Sequence, residues 1–403
     1  MQSRRVRLLQ DQRARRRRRL AIVLVGAACV AGLVAVSGCR STGATRETPH
    51  AQPTHVRQPP HGRARPRRPP QFVIASFDGS GGVRLWTYWR SIARRAHAHF
   101  TFFVSGVYLL DEARRILYQP PRHLPGRSDI GFARPEGNRS AQAMVRGMLG
   151  QITAAYREGD EIGTHYNGHF CAPYSGNVDE WNAADWTREL DQFDKLLFQA
   201  SANNDLRPRV RLPFGPDEIV GGRTPCLQGN LRALYPVLAR RGFRYDASQL
   251  SPLGDWPRRE LGLWDVPLLE IPFVGHTFKV VSMDYNFFAN QTGGVSGPPS
   301  AARGIELETY RSLWAAFRAS YLGNRAPLSI GNHFETWNHW AYDHALARFL
   351  LAACRLPEVR CASFRELVDW LDAQPPRLLR RYRSGLLPRI RPRETAQARI
   401  NRG

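Results

Sequence analysis

The chain has 403 residues, 42% of them apolar, which is ample for a large buried core. Its formal charge of +24 suggests a nucleic-acid partner until the charge is located. Residues 1–70 hold 16 Arg against Asp11 and Glu47, and residues 377–403 hold nine Arg against Glu394, which leaves about +2 for the 306 residues between them. The basicity belongs to the two ends, so the composition argues against a nucleic-acid function for the middle of the chain.

Residues 1–19 carry nine arginines, and Leu20 to Gly38 then run without a charge. This is the pattern of a positive flank followed by an apolar targeting segment. The run closes on Val36-Ser37-Gly38-Cys39, which resembles a lipobox, with Cys39 as the residue to be lipidated. An uncleaved signal anchor is the rival, since a run of this length also spans a bilayer. Either way residues 1–39 place the rest of the chain on the extracytoplasmic face of the cell membrane. A twin-arginine signal at Arg4-Arg5 fits poorly, because Arg7 stands where an apolar residue is expected. Residues 40–70 form a basic, Pro-rich linker without periodicity, and the folded domain is expected over 71–375. Residues 376–403 are expected to be a basic, disordered tail.

The domain opens on Gln71 to Phe77, a continuous apolar run that suits a strand buried on both faces. A helix is expected over 87–98, a strand over 99–104, an irregular excursion over 105–140 and a helix over 141–158. A third strand leads into residues 159–170. A helix over 182–200 then precedes a strand at 210–214, and a helix over 229–241 precedes a strand at 243–246. Strands follow at 268–274, 278–283, 327–331 and 359–362, with helices at 305–320, 339–354 and 364–372. Alternation of this kind predicts an α/β fold with a parallel sheet and ligands at the C-terminal strand ends.

Cysteine usage agrees with export. Beyond Cys29 and Cys39 there are four, Cys171, Cys226, Cys354 and Cys361, an even number as two disulfides require. Cys354 and Cys361 are near enough to bridge locally, which leaves Cys171 for Cys226. Free buried thiols are the alternative.

The candidate chemistry centres on residues 159–170, where His165 and His169 stand four apart and can converge on one cation. Other polar candidates also lie just past expected strand ends: Asp78, Arg211 with Phe214, Asp246, Asp284 and His333. In an α/β barrel those positions face one mouth. Each has a plainer reading, Asp78 as a turn cap, Arg211 as a structural ion pair and His333 as a loop histidine near Trp337. Trp86, Tyr88, Trp89, Tyr166, Trp337 and Trp340 lie beside these positions. Their rings suit either stacking on sugar faces or packing of the barrel rim.

Five stretches in order, Ser76-Phe77-Asp78-Gly79, His165-Tyr-Asn-Gly-His169, Arg211-Leu-Pro-Phe214, Asp246 or Asp255-Trp256, and Ile330-Gly-Asn-His333, resemble the motifs of the polysaccharide deacetylases. This is the NodB-homology group, carbohydrate esterase family 4, and the resemblance spans roughly residues 71–372. It implies a distorted (β/α)7 barrel and a divalent metal, most often zinc, held by His165 and His169. By the same resemblance Asp78 is the general base and Arg211 its partner. His333 is the general acid, oriented by Asp246, while Tyr166, Phe214, Trp86, Trp337 and Asp284 line the substrate side. One departure stands out. The second Asp of the first motif, a metal ligand in the family, is Gly79 here. Either Asp78 becomes the ligand and Glu161, Asp246 or Asp284 the base, or metal binding is impaired.

Three functions follow as expectations. The first is an exported, metal-dependent hydrolase that removes N-acetyl groups from a cell-wall or extracellular polysaccharide. The second is a catalytically impaired, glycan-binding barrel of the cell envelope. The third is a hydrolase of another linear amide.

Overall fold

A computed structural model describes residues 68–385. The expected targeting segment, Cys39, most of the basic linker and the end of the tail lie outside the described residues.

The opening apolar run forms β1 (Gln71–Gly79), with every residue from Gln71 to Asp78 buried. Because both faces are covered, it accepts neighbours on both sides. Parallel to it lie β11 (Leu328–His333) on one side and β2 (Thr101–Val104) on the other. Next come β3 (Glu161–Thr164), β4 (Gly221–Gly222), β5 (Tyr245–Asp246) and β8 (Leu263–Asp265), all parallel. The short β7 (Arg258–Glu260) pairs antiparallel at that edge, and β12 (Val359–Cys361) pairs with the start of β1.

A second, three-stranded sheet joins β6 (Leu250–Pro252), β9 (Leu268–Pro272) and β10 (Lys279–Val281). β5 and β6 follow one another along a single path, as do β8 and β9, and Leu268 N donates to Gln249 O between them at 3.0 Å. Counted that way, the parallel wall has the seven members expected. Past β10, Ser282 N donates to Leu269 O, and Ser282 O accepts from Gly331 N of β11. These bonds draw the curled sheet round toward a barrel.

The helices cover its outside: α1 (Val83–Ala96), α2 (Ala141–Arg157), α3 (Ala183–Phe198), α4 (Leu231–Arg240), α5 (Asp284–Thr292), α6 (Ala302–Leu322), α7 (Trp337–Ala353) and α8 (Phe364–Asp372). Capping boxes start two of them. Asn182 and Asp185 bond reciprocally at α3, and Ser363 and Glu366 do so at α8. Between β1 and its helices Phe77, Trp86, Trp89, Phe102 and Phe334 interlock, with Trp86 stacked on Phe102 at 4.2 Å.

Three expectations need correction. Residues 210–214 form no strand, and that place in the sheet is taken by Gly221-Gly222. An apolar run cannot announce this strand because only glycine fits it: a Cβ on Gly221 would lie 2.0 Å from the Tyr245 ring, and one on Gly222 2.6 Å from Thr164 Cγ2. The helix α5 was missed, since Met283-Asp284-Tyr285-Asn286 reads as a strand end. Finally, the domain does not stop at 375. A ninth helix, α9 (Pro376–Arg383), buries Leu379 and Tyr382, and Tyr382 stacks on Trp256 at 5.2 Å.

Candidate active site

Register brings the polar residues together. β1 pairs with β11 so that Asp78 lies opposite His333. β2 and β3 carry the wall to Thr164, after which His165 N donates to Val104 O. β4 delivers Arg223, whose N–H donates to Thr164 O at 3.0 Å.

Arg223 organises one half of the site, and it is fully buried. Its Nη1 donates to Asp78 Oδ1 at 2.8 Å and to Ser76 Oγ at 2.9 Å, while Nε donates to Ala247 O at 2.9 Å. The guanidinium lies over the Phe103 ring at 5.0 Å. Its main-chain oxygen accepts a hydrogen bond from His165 Nδ1 at 2.8 Å. A carbonyl can only accept, so that nitrogen carries the proton and Nε2 keeps its lone pair. This is the arrangement by which proteins present a neutral imidazole to a cation.

Burial alone would push the Asp78 carboxyl up. The Arg223 charge, helped by His333 and the Arg223 hydrogen bond, outweighs it and holds Asp78 below the usual carboxylate range. Burial drives both imidazoles the other way. His165 is lowered, with Asp78 opposing, and His169 is pushed down to about 3, with His165 and His333 adding to the effect. Both are neutral at physiological pH. Their ring centroids are 5.2 Å apart, close to the separation of about 5 Å that two imidazoles on one tetrahedral metal require.

His333 forms the other half with Asp284, the first residue of α5. His333 Nδ1–H donates to Asp284 Oδ1 and His333 N to Oδ2, each at 2.7 Å. Burial would lower the imidazole, but the Asp284 charge and hydrogen bond, helped by Asp78, outweigh it and raise His333 above its ordinary value. The site therefore sets a carboxylate whose ionised form is favoured opposite an imidazole whose protonated form is favoured, the direction of split that acid–base catalysis uses.

The turn between the two histidines is pinned from below. Glu189 of α3, buried, accepts Tyr118 Oη at 3.0 Å and Asn167 N at 3.0 Å, while Asn167 Nδ2 donates to Glu189 O at 2.8 Å. Beyond His169, a disulfide joins Cys171 to Cys226, tying the histidine loop to the loop after Arg223. The other expected disulfide, Cys354 to Cys361, is also present.

Several expected roles shift. Arg211 is exposed and does not pair with Asp78. Phe214 packs with Tyr156 and Phe198 away from the site. The correct partner sits in Gly222-Arg223-Thr224-Pro225, which carries the same Arg-x-Pro spacing and so was findable. Phe214, which completed the motif at the wrong copy, drew attention from it. Asp246 does not orient His333: it accepts from Ser248 N, Ser248 Oγ and Tyr235 Oη. Asp255 accepts from Ser251 Oγ, and Trp256 stacks in the α8–α9 layer. Glu161 bonds Thr101, Tyr245 and Arg365 N at the start of β3, the far end of that strand, and is no candidate base. Asp284 belongs to the site, but as the partner of His333.

Among the aromatic residues, Trp86 is buried in the core, its Nε1 bonded to Ser80 O. Tyr166 is buried against Trp186. Trp337 keeps its expected place, 5.3 Å from His333 by ring centroids and stacked on Phe288. Tyr285, not anticipated, joins it at 5.7 Å and is 39% exposed.

The donors fit a cation in part. His165 presents a free Nε2 and the His169 ring lies at the separation a shared cation needs, but Gly79 supplies no third ligand. Among the described residues, no His, Cys, Asp or Glu completes a triad with His165 and His169 in which all donor atoms lie within 4.8 Å. Nor is position 79 ready for a carboxylate, because its φ of +85° is one that L side chains rarely adopt. Asp78 Oδ1 is taken by Arg223, which suits a base better than a ligand.

No protein-family model matches the sequence, and no curated protein does either. Among solved structures, the chain is similar to a putative polysaccharide deacetylase from Mycobacterium smegmatis, at 15% identity and a TM-score of 0.44, over 77% of this chain and 95% of that one. It is similar to a mutant of a peptidoglycan deacetylase from Bacillus subtilis, at 10% identity and a TM-score of 0.38, over 77% and 96% of the two chains. It is also similar to a CE4-family pseudoenzyme from Bacillus anthracis, at 9% identity and a TM-score of 0.38, over 74% and 66%. Overlays this loose leave the chemistry to be read from the residues above.

Proposed function

We propose that the protein is a metal-dependent hydrolase that removes N-acetyl groups from a polysaccharide of the cell wall or extracellular matrix. The observation that carries this is the opposed pair around the two imidazoles: Asp78 ion-paired with Arg223, and His333 hydrogen-bonded to Asp284. His165 and His169 would hold a divalent metal, most often zinc in the family it resembles, which when bound polarises the acetyl carbonyl and acidifies water. Asp78 takes the proton from the attacking water. His333 gives its proton to the departing amine nitrogen, and Asp284 stabilises the charged imidazole before that transfer. Trp337 and Tyr285 offer apolar ring faces beside His333 on which a sugar ring stacks. In the same reading residues 1–39 tether the domain outside the membrane, with Cys39 the lipidated residue, and mass spectrometry of the mature N-terminus tests that part.

The direct test is acetate release from N-acetylglucosamine oligomers and wall glycans by zinc-loaded protein. Wild type is expected to release acetate, with Asp78→Asn and His333→Ala each slower by about 100-fold or more. Loaded wild type that releases none across such a panel rules the deacetylase out.

The absent third ligand at Gly79 favours a second reading, a glycan-binding barrel that has lost turnover. Oligosaccharide binding that survives Asp78→Asn, without acetate release by wild type, selects it. A hydrolase of another linear amide would instead cleave non-sugar amides in an Asp78-dependent way.

A further inference from the structure

Beside the two imidazoles lies a second donor cluster. His169 Nδ1 stands 3.6 Å from Cys171 Sγ, and the donor atoms of His169, Cys171 and Cys226 all lie within 4.8 Å of one another. The sulfurs are joined as a disulfide. His169 and Cys171 are half-buried, and Cys226 is exposed, so an outside reductant reaches the bond. Tetrahedral zinc with Zn–S of about 2.3 Å and Zn–N of about 2.0 Å sets an N···S edge of roughly 3.5 Å. The His169–Cys171 edge already has that length. For one cation to touch all three donors the sulfurs have to part, to roughly 3.8 Å, and Cys226 Sγ, within 4.8 Å of the His169 donor, has to settle near the same N···S edge.

We propose that the Cys171–Cys226 disulfide masks a second metal centre, His169–Cys171–Cys226, which reduction opens to a soft divalent cation such as zinc. A dithiol supplies the two electrons and two protons: the S–S bond breaks, two thiols form, and the reductant closes to its own disulfide. On binding, both thiols lose their protons, and two metal–sulfur bonds and one metal–nitrogen bond form. The fourth position is left to water, as at three-ligand zinc sites. His169 is common to both centres. Where the hydrolytic reading holds, a cation drawn onto the thiolates therefore competes for the ring that the His165 pair needs.

Cobalt(II) reports the second centre without any reference to activity, through sulfur-to-metal charge-transfer absorption. The full chain is reduced with a trialkylphosphine, which becomes the phosphine oxide with water supplying the oxygen, and the phosphine is removed before titration. One equivalent of cobalt is expected to give the band in reduced protein and none in oxidised protein. Cys226→Ser and His169→Ala should each weaken cobalt binding by more than about tenfold. His165→Ala and the double variant Cys354→Ser/Cys361→Ser should leave the band intact, which separates this centre from the hydrolytic pair and from the other cysteines. The proposal fails if reduced protein of native circular dichroism gives no band. It fails equally if the band survives Cys226→Ser or disappears in Cys354→Ser/Cys361→Ser.

Discussion

Arg223 and Arg211 make the sharpest contrast between two residues of one type. Arg223 is sealed from water and holds the Asp78 charge, so Arg223→Ala strands a buried carboxylate. A loss of about 3–5 kcal/mol in urea unfolding is expected, together with loss of activity. Arg211→Ala, at an exposed site, should stay within about 0.5 kcal/mol of wild type. A larger loss at 211 than at 223 would reverse the assignment of the Asp78 partner.

His333 carries the pH dependence. Its folded pKa is raised, so the ion pair with Asp284 contributes stability that is full below the unfolded value of about 6.5 and fades as pH rises through the folded value. Asp78 has the opposite sign, its contribution present above about 3.9 and lost in acid. The kcat/KM profile should therefore fall on its alkaline side where His333 loses its proton. Asp284→Asn removes the charge that raises His333 and should move that limb to lower pH. A profile unchanged in the variant would show that Asp284 does not set the acid.

At the scale of elements, the sequence showed what repeats and hid what is local. Continuous apolar runs marked β1 and β2, and helical periodicity marked α2, α3, α7 and α8 to within a few residues. β4 was invisible because its requirement is the absence of side chains, and a two-residue strand has no period to read. Asp78 and His333 were legible from strand ends and His165 with His169 from their spacing, though the same strand-end reading also nominated Arg211 and Asp246. The partners of Asp78 and His333 were not, since pairing depends on which of several candidate side chains points inward. Asp246 and Asp284 both end or follow strands, and only the fold decides between them.

α3 carries a prediction of its own. The Glu189 carboxyl beneath the histidine turn is pushed up to about 7 by burial, against its hydrogen bonds to Tyr118 and Asn167. A raised carboxyl stabilises the fold most below its unfolded value of about 4.3 and progressively less as pH climbs to about 7. Glu189→Gln keeps a hydrogen-bonding group and removes that titration. Its Tm should decline less between pH 4.5 and 7 than that of wild type, and an equal decline would place the titration elsewhere.

For the whole molecule, the two disulfides are unequal by chain separation. Cys171 and Cys226 are 55 residues apart, and Cys354 and Cys361 seven. Loop-closure entropy assigns about 4 kcal/mol to the first and about 2 to the second. Thermal unfolding of the two Cys→Ala double variants should rank them in that order, and the reverse ranking would show that loop entropy does not dominate here. The domain also extends past the boundary that composition suggested, because Tyr382 and Leu379 of α9 cover Trp256 and Trp370.

Arg223 faces two ways at once, its side chain gripping Asp78 and its main-chain oxygen gripping His165. It acts as a spacer bar between the Asp78 carboxylate and the imidazole opposite. When the barrel wall breathes, both ends ride on the same rigid piece, so thermal fluctuation can tilt the pair in space while leaving its span nearly constant.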